Sequence, residues 1–125
     1  NGKYTLSKGS ANMLRNLKQN LQVDAYVTKG LPKLDAFVRD LRDLLQEYKT
    51  ASNGKFDYQV IEAKDEESKK AAKDAGLQEV PFGEASDTED RAAVAMGFMG
   101  LVLKYGSEKD SIKYLPPEAA NMGLE

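Results

Sequence analysis

Two acidic groups, Asp65-Glu66-Glu67 and Glu84 with Asp87, Glu89 and Asp90, are the densest concentrations of oxygen ligands in this 125-residue chain. Carboxylates at such spacing could hold calcium or magnesium. Neither group has the alternating ligands and central glycine of an EF-hand-type loop. The first reads instead as negative charge at a helix start, where unpaired amide donors favour it. The second reads as a solvated loop. Gly97-Phe98-Met99-Gly100 has a glycine–x–x–glycine spacing, but with no helix start behind it this makes a poor phosphate cradle. Glycines within a strand more often mark a bulge or a close backbone approach. Tyr4, Tyr26, Tyr58, Tyr105 and Tyr114 could stack on a sugar or peptide, although aromatics in and beside strands usually serve packing.

The chain has no cysteine and no histidine. Dithiol redox chemistry, Cys/His metal sites and nucleophiles activated by histidine therefore lose their usual residues together. A Gly-x-x-x-x-Gly-Lys-Ser/Thr loop is absent too, so nothing here binds ATP in that manner. An enzyme would have to run on carboxylates and tyrosines, and no spacing pairs them convincingly. The expectation is a protein that is not an enzyme and carries no cofactor.

Eighteen basic and twenty acidic residues leave a formal charge of −2. The basic residues are scattered along the chain, some beside acids as in Arg39-Asp40 and Arg42-Asp43, which argues against nucleic acid as a partner and against a polybasic membrane patch. The 41% hydrophobic and 30% charged fractions, over this length, suit one globular domain, residues 1–125.

The elements follow from periodicity. Lys8 to Asn20, capped by Ser7, reads as a short helix. Leu21 to Thr28 alternates as a strand, with Leu21, Val23, Ala25 and Val27 on one side and Gln22, Asp24 and Tyr26 on the other. After the turn Lys29-Gly30-Leu31-Pro32, the spacing of Leu34, Phe37, Val38, Leu41, Leu44, Leu45 and Tyr48 predicts a long amphipathic helix. Ser52-Asn53-Gly54 stops it. Phe56 to Ala63 is a second strand, apolar on both sides towards its end, which implies cover on both faces there. Glu66 to Ala75 is a third helix closed by Gly76, and Leu77 to Phe82 is extended. Ala93 to Tyr105 reads as a strand, with a helical start across Ala92 to Met96 as an alternative. Gly106 to Asp110 then turns into a strand over Ser111 to Leu115, and the tail to Glu125 has room for one helical turn. This order predicts a three-layer α/β fold, thioredoxin-like or related, whose mixed sheet holds a parallel β-α-β unit and a C-terminal antiparallel hairpin.

In a thioredoxin-like fold the Lys29–Pro32 turn is where a redox motif would sit, and without a thiol that chemistry falls. A ligand would instead enter the mouth at the carboxyl ends of the parallel strands, lined by Thr28, Lys29, Gly30, Glu62, Lys64 and Asp65.

The opening Asn1-Gly2-Lys3-Tyr4-Thr5-Leu6-Ser7-Lys8-Gly9-Ser10 closely resembles the Tyr-Thr-Leu-Ser-x-Gly-Thr/Ser segment of auxiliary components of ABC-type transport systems, in the gliding-motility-associated group. The likeness continues through Val23-Asp24-Ala25-Tyr26-Val27-Thr28 and the helix pattern Leu41-x-x-Leu44-Leu45-x-x-Tyr48. It extends to Tyr58-Gln59-Val60-Ile61 and to Gly100–Gly106. Glu62-Ala63 stands where members often carry Asp-Pro, and Ala75 stands where they tend to have an aromatic. The resemblance implies a non-catalytic extracytoplasmic domain at a bacterial inner membrane, facing the periplasm or the cell exterior. It would be a fragment tethered by membrane helices outside this stretch, working with an ABC permease and its ATPase, with room for a homo-oligomer.

Overall fold

Alternation of apolar and polar residues shapes the strand Leu21–Val27 (β1), with Val23, Ala25 and Val27 buried on one face. A computed structural model describes residues 8–82 and 95–116. The chain runs α1 (Lys8–Arg15), β1, α2 (Pro32–Ala51), β2 (Phe56–Glu62), α3 (Glu66–Asp74), β3 (Val80–Phe82), β4 (Ala95–Gly97), β5 (Met99–Tyr105) and β6 (Glu108–Ile112). A four-stranded sheet has the order β2-β1-β5-β6, and β3 and β4 form a separate two-stranded ladder. β1 and β2 are parallel, with Leu21 opposite Phe56 and Val27 opposite Glu62. β5 runs antiparallel to both β1 and β6. This is the mixed, thioredoxin-like three-layer arrangement expected from the order of elements.

The first face of the sheet is closed by α1 and α2. Leu34, Phe37, Val38, Leu41 and Leu45 of α2 meet Val23, Ala25, Val27, Phe56, Met99 and Leu101 of the sheet, and Leu14 of α1 joins them. Pro32 begins α2, where its fixed φ suits the first helical turn and its missing amide hydrogen leaves no bond unmade. The helix ends on Ser52, which is fully buried. Its hydroxyl donates to the Lys49 carbonyl at 2.9 Å and accepts from the Phe56 amide at 3.0 Å, joining helix end to strand start. Asn53 (φ 57°) and Gly54 (φ 88°) then turn the chain through left-handed backbone.

The second face carries α3 and a smaller core of Ala63, Ala72, Leu77, Phe98 and Val102 beside Tyr26. α3 starts with a capping box: Asp65 accepts from the Ser68 amide at 2.8 Å, and the Ser68 side chain lies against the Asp65 backbone amide at 3.2 Å. The negative charge expected at this helix start is therefore bound to the helix itself. Ala63 is buried on this side, as the end of the second strand implied, while Ile61 is half-buried in a groove beside Ala71 of α3.

Three expectations are corrected. The first helix stops at Arg15 rather than Asn20. The hairpin turn is the two residues Gly106-Ser107, so β6 spans Glu108–Ile112 rather than Ser111–Leu115. Gly106 (φ 60°) supplies the left-handed backbone that such a tight turn needs. The single strand expected over Ala93–Tyr105 breaks at Phe98, because β4 pairs with β3 while β5 pairs with β1; at Ala95–Met96 the backbone is strand, not helix. The Ser7 cap, Tyr4, the acidic loop with Glu84, Asp87, Glu89 and Asp90, and the tail beyond residue 116 lie outside the described residues.

Candidate functional site

The parallel pair brings the ends of β1 and β2 side by side, and antiparallel pairing puts the start of β5 next to them. Between these ends and α3 lies a cleft of about 180 Å³. Thr28, Lys29, Glu62 and Lys64 line it, four of the six residues expected at this mouth. Gly30 and Asp65 stand aside. The Gly30 amide donates to Asp35 at 3.1 Å, at the start of α2. The Asp65 carboxylate is held by Ser68 and borders a neighbouring groove beside Tyr26 and Ile61.

The structure adds wall residues that sequence reasoning did not assign. Lys69 enters from α3, Glu79 from the segment before β3, and Met96, Gly97 and Phe98 from the strand break. Lys69 was findable, since it lies one helical turn beyond Asp65 and its amide donates to the Asp65 carbonyl at 3.0 Å. Glu79 and Met96–Phe98 depend on long-range pairing that no local pattern announces.

The strand break is held by reciprocal bonds. The Thr28 amide donates to the Phe98 carbonyl at 3.1 Å, and the Thr28 hydroxyl accepts from the Phe98 amide at 2.8 Å. This passes through Gly97, where an added Cβ would lie 2.8 Å from Thr28 Oγ1 and 2.9 Å from its Cβ. The close-approach reading of the glycine–x–x–glycine segment therefore holds. The Thr28 hydroxyl is occupied in structure, which leaves the cleft's reach to its charged side chains: Lys29, Lys64 and Lys69 with Glu62 and Glu79. Glu79 also lies 3.5 Å from Lys73.

Among the described residues, the carboxyls with displaced acidity are Asp24, Asp57 and Asp65, all shifted downward, and none of the three lines this cleft. At Asp24 burial raises the pKa, but hydrogen bonds from Gln22, Gln59 and Lys104, with the Lys104 charge, outweigh it and hold the carboxyl below its ordinary range. Asp57 is lowered by the Tyr58 amide and Lys49, and Asp65 by Ser68. The contacts of the described tyrosines fit the packing role favoured for aromatics in and beside strands. Tyr58 binds Gln46 at 2.8 Å, Tyr105 accepts from the Lys18 amide at 3.2 Å, and Tyr114 packs on Phe82.

A family model, the domain of unknown function DUF7088, matches residues 1–104. The chain belongs to the DUF7088 family. No curated protein and no solved structure matches it. The DUF7088 match contains β1, α2, β2 and α3 whole and both sides of the strand break, so every residue lining the cleft lies within it. Of β6 it contains nothing. Among the described residues no group of three or more acidic side chains is placed to hold a metal ion. No described helix is long and apolar enough to cross a membrane.

Proposed function

We propose that this domain is a non-catalytic auxiliary or substrate-handling module of a bacterial ABC-type transport system, and that it works by contact with protein or cargo at the strand-end cleft. The observation that carries this reading is the cleft itself, a small concavity ringed by three lysines and two glutamates. Charges of both signs around a shallow hollow orient a polar group of a partner, and like charges exclude the wrong one. The resemblance to transport auxiliaries supplies the setting: the outer side of a bacterial inner membrane, beside a permease and an ATPase, with membrane helices outside this stretch as the tether. In that setting the energy comes from the ATPase partner. Co-purification with the permease and ATPase subunits tests the reading. Lys64→Glu should weaken the association, whereas Lys70→Glu, on the outer side of α3, should not; equal behaviour of the two would overturn it.

A second reading is favoured by the position of the cleft at the carboxyl ends of parallel strands, where open α/β sheets hold small ligands. A small polar molecule, a carbohydrate included, would then sit between Lys29 and Glu62. A saturable rise in melting temperature with a sugar or peptide, abolished by Lys29→Ala or Glu62→Ala, selects this reading over the first.

A further inference from the structure

The opposite pole of the sheet holds a second concavity, separate from the strand-end cleft and independent of the transport reading. It is an open basin of about 580 Å³. Its charged lining is cationic only: Lys18 from the segment after α1, Lys55 from the turn before β2, and Lys104 from β5. The amide side chains of Gln19, Asn20 and Gln22 complete the wall with neutral hydrogen-bonding groups. No carboxylate lines it among the described residues. Two acids of the adjoining strands are already paired: Asp24 with Lys104 at 3.2 Å and Asp57 with Lys49 at 3.2 Å. Glu108 lies beyond the turn, opposite Tyr105 on β6.

The basin is built, not a chance gathering of mobile lysines. Its rim segments are tied to one another by the Leu21 amide on the Lys55 carbonyl (2.8 Å), the Gly106 amide on the Asn20 carbonyl (3.3 Å) and the Lys18 amide on Tyr105 Oη (3.2 Å). Gly106 lets the Gln19 side chain lie against the hairpin turn, in space that any Cβ would occupy. Asp24, with only 7% of its side chain exposed, fixes Lys104 Nζ and accepts from Gln22 Nε2 at 2.9 Å. One buried carboxylate thus holds two members of the wall. Neither Lys18 nor Lys55 has a side-chain partner among the described residues, so both cations are available.

We infer that this basin binds a phosphate-bearing anion, with Lys18 and Lys55 supplying the unpaired charge and Lys104, held against Asp24, adding a donor beside the surrounding amides. Several lysines converging on a fixed hollow suit a multivalent, compact anion better than a single carboxylate. The phosphate can belong to a soluble molecule or to a lipid headgroup, and two probes separate the sources. Pyrophosphate is titrated into the isotope-labelled 125-residue chain while its backbone amides are followed by NMR. Co-sedimentation is measured with phosphatidylcholine vesicles, with and without phosphatidylglycerol. The expected result is saturable movement of the Gln19, Asn20, Lys55 and Gly106 amides, or retention on the anionic vesicles alone. Lys18→Ala and Lys55→Ala should each weaken binding about tenfold, as loss of a charged hydrogen bond does. Lys70→Ala should leave it unchanged. Response to pyrophosphate assigns a soluble phosphate, and response to anionic vesicles only assigns a headgroup. Response to neither, or binding that survives the combined Lys18→Ala/Lys55→Ala substitution in a chain with unchanged melting temperature, overturns the inference.

Discussion

A carboxylate buried in the middle strand of a sheet is costly unless every oxygen is answered, and Asp24 is answered three times, by Gln22 at 2.9 Å, Gln59 at 3.2 Å and Lys104 at 3.2 Å. Because its pKa in the folded chain lies below the ordinary value of 3.8, its contribution to stability is complete above that value and is lost as pH falls through the folded pKa. Asp24→Asn should therefore cost about 2 kcal/mol near neutral pH, the usual loss on removing a hydrogen-bonded charge. Urea titrations at descending pH should show the gap to wild type closing below pH 3.8. Ser52 is the second buried polar group among the described residues. Ser52→Ala strands the Phe56 amide donor at the start of β2 and should cost about 1–3 kcal/mol in the same assay. Of these residues the sequence disclosed only part. Asp24 falls on the polar side of an alternating strand, which predicts exposure, and its burial follows from Gln59 and Lys104 arriving on neighbouring strands.

Elements with a local signature were legible. The apolar stripe of α2, the alternation of β1 and the stop at Ser52–Gly54 each express one period or one turn preference, and the structure has all three where the pattern puts them. The C-terminal part was less legible because its features depend on pairing. The break at Phe98 exists because the chain leaves one ladder for another, and the true hairpin turn is shorter than polarity alone indicates, since β6 is itself polar and exposed along most of its length. The same distinction explains the site. Thr28, Lys29, Glu62 and Lys64 follow from knowing where parallel strands end, whereas Glu79 and Met96–Phe98 enter by long-range contact. Gly100 tests the packing of this region. A Cβ there would lie 2.8 Å from the Ile112 carbonyl oxygen and 3.0 Å from that of Lys113, and backbone cannot step aside cheaply. Gly100→Ala should destabilise by about 1–3 kcal/mol, read by thermal or urea unfolding, with increased amide exchange in β6.

Among the described residues, the four-stranded sheet carries a different charged concavity at each pole. The cleft at the carboxyl ends of β1 and β2 mixes lysines with glutamates, and the basin at their amino ends is lined by lysines and amides. The cleft's charges suit recognition of a mixed-charge group, and the basin's suit an anion. The two proposals thus place a partner group at one pole and a phosphate at the other, with the strands of the sheet running between them. The measurement that bears most directly on contact at the cleft is site-specific crosslinking in native membranes, with a photo-reactive residue in place of Lys64 and, separately, of Lys70 as control. Crosslinks from the Lys64 position to a permease subunit or a transported cargo, with none from Lys70, are the expected result. Equal yields from both positions, or crosslinks only from Lys70, would contradict a role for the cleft in contact.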